Sequence, residues 1–283
     1  MITKNDPKYS AIKQEIIEKY GVVKLVDFNP EEAIKSRINY LKEFLKKTNR
    51  KGYVLGISGG VDSSLTGKLC QIACSELRRE GYPAYFIAMR LPAGIQKDEV
   101  DAQVALDFIN PDHRMTVNIG EAANLISEQG VSEFSGKLTD GQIDFNKGNI
   151  KARLRMVAQY QAAAMYEGLV IGTDHNAEAV MAFYTLFGDG ACDLTVLNGV
   201  NKRQIRLMAK TLGAPDSVWN KVPTADLEEL NPGKLDDEGF GFKYEFLDLF
   251  LEGEEIPEHV ELMIINQYAR TYFKRESIPS FKN

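Results

Sequence analysis

Apolar and polar positions along this chain follow two rhythms. Near the N-terminus Ile34, Ile38, Leu41 and Leu45 recur at three- and four-residue steps, which places them on one face of a helix. Asn29 and Pro30 supply an N-cap and a first-turn proline ahead of that stripe, and Glu31 and Glu32 suit the positive end of its dipole. Residues 1–50 thus read as two helices. From residue 51 short apolar runs take over: 53–57, 84–89, 114–119, 169–172 and 193–197 read as strands. Helical patterns over 62–80, 98–109, 121–128, 149–167, 175–184 and 202–212 lie between and after them. Alternating strands and helices predict an α/β protein with a doubly wound parallel sheet flanked by helices. A single domain is expected, with N-terminal helices (1–50), an α/β core (51–213) and a loop with C-terminal helices (214–283). Two polar, glycine-bearing stretches, 132–147 and 227–241, read as mobile loops.

Composition narrows the class. A chain of 283 residues with 44% hydrophobic and 26% charged positions has enough apolar content to bury a large core, as soluble proteins do. Its net charge of −6 argues against nucleic acid as a general partner. No apolar run approaches the roughly 18 residues of a membrane span, and the N-terminus lacks a signal-peptide core, so a cytoplasmic protein without membrane contact is expected. Cys70, Cys74 and Cys192 form no CxxC pair and read as small apolar residues.

The chemistry concentrates where the first strand meets its helix. Gly56, Ile57, Ser58, Gly59, Gly60, Val61, Asp62, Ser63 and Ser64 form a small-residue turn between them. Such a turn lets backbone N–H groups approach an anion, and the helix terminus adds partial positive charge. Asp62 would repel phosphates unless a cation lay between, so the turn suggests a Mg²⁺-bound polyphosphate. It is not a Walker loop, because Leu69 follows Gly67-Lys68 where Ser or Thr is required. A second carboxylate, Glu178, lies one turn into the helix that follows Thr173 and Asp174 at another strand end, placed to share the cation with Asp62. His175 reads as a general base or as a helix-start residue bonded to backbone. Arg90 lies over an adenine, near a phosphate, or in a salt bridge. Lys202 and Arg203 open a helix, where the dipole disfavours cations, and that placement hints at a bound anion. Residues 187–193 form a glycine-rich acidic turn that either meets ribose hydroxyls or reverses the chain.

Ser58-Gly59-Gly60-Val61-Asp62-Ser63 resembles the SGGxDS loop of the ATP pyrophosphatases. Five further segments occur in the order and spacing of ammonia-dependent NAD synthetases: 144–153 (DFNKGNIKAR), 172–180 (GTDHNAEAV), 187–193 (FGDGACD), 201–204 (NKRQ) and 223–227 (PTADL). The resemblance covers about residues 30–275. It implies a Rossmann-like fold of the adenine nucleotide alpha hydrolase type, a homodimer, and amidation of deamido-NAD by ATP and free ammonia through an adenylate. By the resemblance, residues 56–64 cradle ATP with Arg90, Gln96, Thr173, Lys202 and Thr224, and Asp62 and Glu178 bind Mg²⁺. Phe145, Asn149, Arg153, Leu186, Asp189, Asp193, Phe273 and Lys274 fall on the deamido-NAD side. Asp237 and Glu238 fall in the 227–241 segment, which becomes a lid. Asp62, Asp174, Glu178 and Lys202 carry the chemistry, with Asp174 or a lid carboxylate taking the proton of ammonium. Leu186 and Phe273 stand where many relatives have Lys and His, which points attention to the acid substrate. About fifty residues precede the loop, so no amidotransferase domain is expected and free ammonia is the nitrogen donor. Another ATP pyrophosphatase, such as a GMP synthetase-like or tRNA-thiolating enzyme, and a non-catalytic nucleotide sensor are the alternatives.

Overall fold

Helix α1 (Pro7–Tyr20) starts where Asp6 accepts the Lys8 N–H at 2.9 Å and proline occupies the first turn. After a 3₁₀ turn (Leu25–Asp27), α2 (Pro30–Thr48) begins on Asn29, whose side chain accepts the N–H groups of Glu31 and Glu32 at 3.1 Å each. It stops at Asn49, which turns left-handed with φ 54°. The expected stripe of Ile34, Ile38, Leu41 and Leu45 is buried. Each such side chain contributes roughly 1.5–3 kcal/mol by leaving water. The computed structural model describes residues 2–94, 99–222, 224–225, 229–230, 234–278 and 280–281.

The α/β portion runs β1 (Gly52–Gly56), α3 (Val61–Arg79), β2 (Tyr85–Arg90), α4 (Glu99–Ile109), β3 (His113–Thr116), α5 (Gly120–Glu133), α6 (Asp140–Met165), β4 (Leu169–Gly172), α7 (Asn176–Met181), β5 (Leu194–Thr195) and α8 (Lys202–Thr211). The strands form one parallel sheet in the order β3-β2-β1-β4-β5. The chain winds outward from β1 to β3, then crosses back to β4 and β5. Strand order therefore reverses between β1 and β4, and the crevice beyond their carboxyl ends is where ligands bind in such sheets.

Three apolar clusters hold the sheet. One joins a sheet face to α2, α3 and α8 through residues such as Leu41, Tyr53, Leu65, Leu69 and Ile205, and includes the fully buried Cys70 and Cys74. The other face packs Val54, Ile87 and Met89 against Ala158, Ala162 and Ala163 of α6. After α9 (Asp216–Trp219), β6 (Thr224–Ala225) pairs antiparallel with β7 (Lys234–Leu235). Helices α10 (Asp236–Phe240), α11 (Tyr244–Leu251) and α12 (Glu258–Arg270) and a 3₁₀ turn (Tyr272–Lys274) follow. The third cluster joins α1, α11 and α12 to Ala177, Val180 and Met181 of α7, so a helical cap sits on the helix that follows β4.

Three elements depart from the sequence reading. Helix α6 begins at Asp140, not 149, because Thr139 Oγ1 accepts the Gln142 N–H and Gln142 Oε1 accepts the Thr139 N–H. The stretch 132–147 is thus mainly the end of α5 and two turns of α6, its helical pattern hidden by Gly141, Gly148 and many polar residues. Helix α7 ends at Met181 instead of continuing to 184, because Ala182 turns left-handed with φ 50°. Within 227–241, the described residues include β7 and α10, where a mobile loop was expected. Among the described residues no helix is long and apolar enough to cross a membrane.

Candidate active site

Strand β1 delivers its turn under constraint from both sides. The Gly56 N–H donates to Gln159 Oε1 of α6 at 2.7 Å, and the Ile57 N–H donates to the Met89 carbonyl at 2.8 Å. The Ile57 carbonyl accepts the guanidinium of Arg90, whose other arm binds Glu99 at 2.9 Å. Arg90 is therefore a brace for the loop backbone, held in the salt bridge that was one of its three expected roles. Gly59 has φ +85°, and a Cβ there would stand 2.9 Å from the Ala102 nitrogen, so no other residue fits without displacing α4. Gly60 is the N-cap of α3 and gives it no side-chain cap. Ser58 Oγ accepts the Gly60 N–H at 3.2 Å and lies 3.0 Å from Ser63 Oγ. Val61 packs into the core and the Ser64 hydroxyl donates to the Gly60 carbonyl at 2.7 Å, so these two side chains shape the turn and do not line it.

At the start of α3 three elements converge. Lys202 Nζ, from the first turn of α8, lies 2.7 Å from Asp62 Oδ2 and 3.7 Å from Glu178 Oε1 of α7. His175 Nε2 is 3.5 Å from Glu178 Oε1 and 3.8 Å from Asp62 Oδ1. Donor atoms of Asp62, His175 and Glu178 all lie within 4.8 Å of one another. Asp62 Oδ1 is buried and has no hydrogen-bond partner among the described residues. Two carboxylates, one with an unsatisfied oxygen, fit a hard divalent cation such as Mg²⁺. Burial pushes the Asp62 carboxyl up, but the Lys202 charge and hydrogen bond outweigh it and leave the group below its ordinary value. Burial, then Lys202, pushes His175 down to about 3. His175 is therefore neutral near pH 7, which sets it against the general-base reading, and among the described residues its Nε2 meets Tyr244, Glu178 and Asp62 and not the backbone.

A second group of side chains lies on the other side of Asp174. Its carboxyl is pushed up to about 7, first by burial and then by the charges of Asp189 and Asp62. Asp189 Oδ1 accepts the Thr185 N–H at 2.9 Å. Lys274 Nζ donates to the Ala182 carbonyl at 2.6 Å and to the Tyr184 carbonyl, and lies 4.4 Å from the Tyr184 ring centroid. Asn149 accepts the Thr185 hydroxyl at 3.0 Å, and Arg153 donates to the Leu186 carbonyl at 3.3 Å. Phe145 and Phe273 are exposed and Leu186 is half-buried. The structure thus gathers Asn149, Arg153, Asp189 and Lys274 about the 182–189 turn.

Other expected residues fall elsewhere. Asp193 accepts the Val170 N–H at 2.8 Å and the Tyr160 hydroxyl at 3.4 Å, a strut between β4 and α6. Asp237 accepts the Tyr244 N–H at 2.8 Å and so caps α11, while Glu238 is exposed on α10. Thr173 follows β4 directly, and the Thr224 backbone pairs with Leu235. Gln96 lies outside the described residues.

Two groups escaped the sequence reading. Asp144 accepts the N–H groups of Glu229 and Leu230 at 2.8 Å each, while Lys147 and Lys151 reach the Glu229 carboxylate at 2.9 Å. This ties Glu229 and Leu230 to α6. Tyr244 and Asp248 of α11 and Glu252 at its C-cap all contact the start of α8. Their signal was a polar residue at every fourth position, 244, 248 and 252, in a segment whose only other polar residue before Glu252 is Glu245.

The family model for NAD synthase matches residues 33–278. An NH(3)-dependent NAD(+) synthetase of Pseudomonas syringae pv. syringae is 50% identical over 270 residues, covering 94% of this chain and 98% of the relative. The crystal structure of an NAD+ synthetase from Burkholderia pseudomallei superposes with a TM-score of 0.81 at 40% identity, covering 96% of this chain and 99% of that one. An NMN synthetase from Francisella tularensis superposes with a TM-score of 0.78 at 28% identity, covering 91% and 100%. With its loop, its carboxylate pair and its lysine at the switch point of the sheet, the chain belongs to the NAD synthase family.

Proposed function

We propose that this protein makes NAD from deamido-NAD, using ATP and free ammonia and releasing AMP and pyrophosphate. The observation that carries the reading is the convergence of Asp62, Glu178 and Lys202 on the N-terminus of α3 beside a glycine turn. A carboxylate is a poor electrophile. Its oxygen displaces pyrophosphate from the α-phosphate of ATP, which turns AMP into the leaving group for ammonia.

Each residue group has a defined task in this reading. Residues 56–60 and 63 line the path of the triphosphate with backbone and small hydroxyls, and the α3 dipole opposes its charge. Asp62 and Glu178 hold Mg²⁺, which when bound neutralises phosphate oxygens and the charge developing on pyrophosphate. Lys202, bonded to Asp62 at 2.7 Å, would supply a second positive charge for the phosphates at the same helix terminus. Asp174 lies between the two halves and takes the proton of the incoming ammonium, with a carboxyl that titrates near neutral pH. Asn149, Arg153, Asp189 and Lys274 hold the deamido-NAD, and the 227–241 segment covers the intermediate.

The reaction needs no enzyme-bound covalent intermediate, and the buried Cys70 and Cys74, whose thiols burial pushes upward, suit that. The working unit in this reading is a cytoplasmic homodimer. Exposed apolar side chains on α5 and α6, among them Leu125, Ile126, Val131, Val157 and Met165, support self-association. The test is NAD formation and pyrophosphate release with ATP, Mg²⁺, ammonium chloride and deamido-NAD, run in parallel with nicotinic acid mononucleotide. The second acid is included because Leu186 and Phe273 alter the substrate side and because an NMN synthetase shares the fold. Turnover with ammonium and deamido-NAD supports the proposal; turnover only with the mononucleotide replaces the substrate assignment, and ADP as product overturns the reaction type.

A further inference from the structure

We infer that α11 is the element that aims Lys202, with Asp248 fixing the first turn of α8 and Tyr244 confining the lysine ammonium. This rests on the reading that Lys202 meets the triphosphate. Lysine is a long, flexible side chain, and a charge on such a stem is useful only if its root is fixed. The root of Lys202 is the first residue of α8, where a helix ordinarily frays.

Asp248 prevents that fraying. Its carboxylate is 2% exposed, and one oxygen accepts the Lys202 N–H while the other accepts the Arg203 N–H, each at 3.1 Å. Both oxygens are thus spent on consecutive N–H groups at the positive end of α8. Burial pushes this carboxyl up to about 7 against those two bonds and the charges of Lys202 and Arg203, and the paired bonds fix the orientation of the first turn. Asn201 adds a capping box with Gln204.

One turn before Asp248, the Tyr244 ring lies 5.4 Å from Lys202 Nζ, and its hydroxyl is 3.3 Å from His175 Nε2. One turn after it, Glu252 accepts Asn201 Nδ2 and pairs with Arg203, both at 2.7 Å. Three residues at four-residue spacing, two on α11 and the third at its C-cap, therefore hold the ammonium, the backbone and the neighbouring arginine. The N-terminus of α8 thus faces carboxylates of α11 and its C-cap, while the Lys202 ammonium reaches away toward Asp62. Asp248 and Tyr244 are positioning residues, acting on phosphate only through Lys202.

A double-mutant cycle tests this by calorimetric titration of the whole protein with Mg·ATP, without deamido-NAD. Lys202→Met is expected to weaken binding by about tenfold or more, and Asp248→Asn, which leaves one of the two N–H groups without an acceptor oxygen, by about tenfold. The combined variant binds no more weakly than Lys202→Met alone. Tyr244→Leu, which keeps apolar bulk without the aromatic face, weakens binding about threefold and also adds nothing to Lys202→Met. It serves as the second arm if Asp248→Asn folds poorly. Effects that multiply, or Asp248→Asn and Tyr244→Leu proteins that bind as wild type while Lys202→Met does not, overturn the inference and leave the role of Lys202 intact. A Lys202→Met protein that binds Mg·ATP normally overturns both.

Discussion

Helices α3 and α8 both start at the same cleft, and their N-termini are finished in opposite ways. Helix α3 starts on Gly60 with no side-chain cap, at the end of a turn whose Gly59 is in the left-handed region. Helix α8 starts on Asn201 with a capping box, and Asp248 accepts its first two N–H groups. The first leaves its dipole to an outside anion; the second satisfies its dipole internally and projects a lysine. The difference teaches that an anion site is marked less by a helix terminus than by what the protein withholds from it. Lys202 joins the two through its 2.7 Å contact with Asp62.

The contrast can be broken at several points. The largest effect is expected from Asp62→Ala, which removes a cation ligand and the partner of Lys202 together. Pyrophosphate release should fall by about a thousandfold or more in a coupled assay. Next is Gly60→Asp, which gives α3 the side-chain N-cap it lacks. A Cβ at Gly60 would stand 3.4 Å from Ser58 Oγ, an ordinary contact, so a side chain can start there without a backbone clash. The KM for Mg·ATP should rise by roughly tenfold or more, while the melting temperature holds or rises slightly, since Asp caps a helix a few tenths of a kcal/mol better than Gly. A melting temperature that falls with KM unchanged would reverse the comparison.

The pH dependence separates the two half-reactions. Asp174 must be ionised to take a proton, and its carboxyl titrates near 7. Amination should therefore fall about tenfold per unit below pH 7 while pyrophosphate release does not follow that limb, and Asp174→Asn should remove it. For stability the sign is opposite. A folded-state value raised above the unfolded one makes the ionised form unfavourable, so this cost is present above pH 7 and fades as pH falls through 7 toward about 4. The smallest effect is expected at the clasp between α6 and the segment after β6. Glu229→Gln loses its pairs with Lys147 and Lys151, Glu229 is about half exposed, and kcat/KM should change about twofold to fivefold with little change in melting temperature.

The same contrast explains what could be read from the chain. The α3 side was legible because its chemistry is local: the strand, the two glycines and Asp62 lie within eleven residues, 52–62. The sheet was legible for a similar reason, since each strand is a short apolar run followed by a helix. The α8 side was not. The Lys202–Asp248 pairing spans 46 positions and Lys202–Asp62 spans 140, and no local pattern encodes such contacts. Asp193 and Asp237 illustrate the same limit from the other direction. Each sits in or beside a motif-like acidic turn, yet one carboxylate struts β4 to α6 and the other caps α11. The start of α6 was hidden because a capping box in a glycine-bearing polar stretch resembles a loop until its two reciprocal bonds are seen.

The reaction assigned to the open α3 terminus is cleavage of ATP between its α- and β-phosphates, driven by a carboxylate before any ammonia is present. Rapid mixing of the protein with ATP, Mg²⁺ and deamido-NAD in ammonium-free buffer should release about one pyrophosphate per site in a burst and then stall. Ammonium chloride should restart release, in step with NAD and AMP. ADP and inorganic phosphate in place of pyrophosphate, or no release before ammonium is added, would contradict an adenylated intermediate at this site.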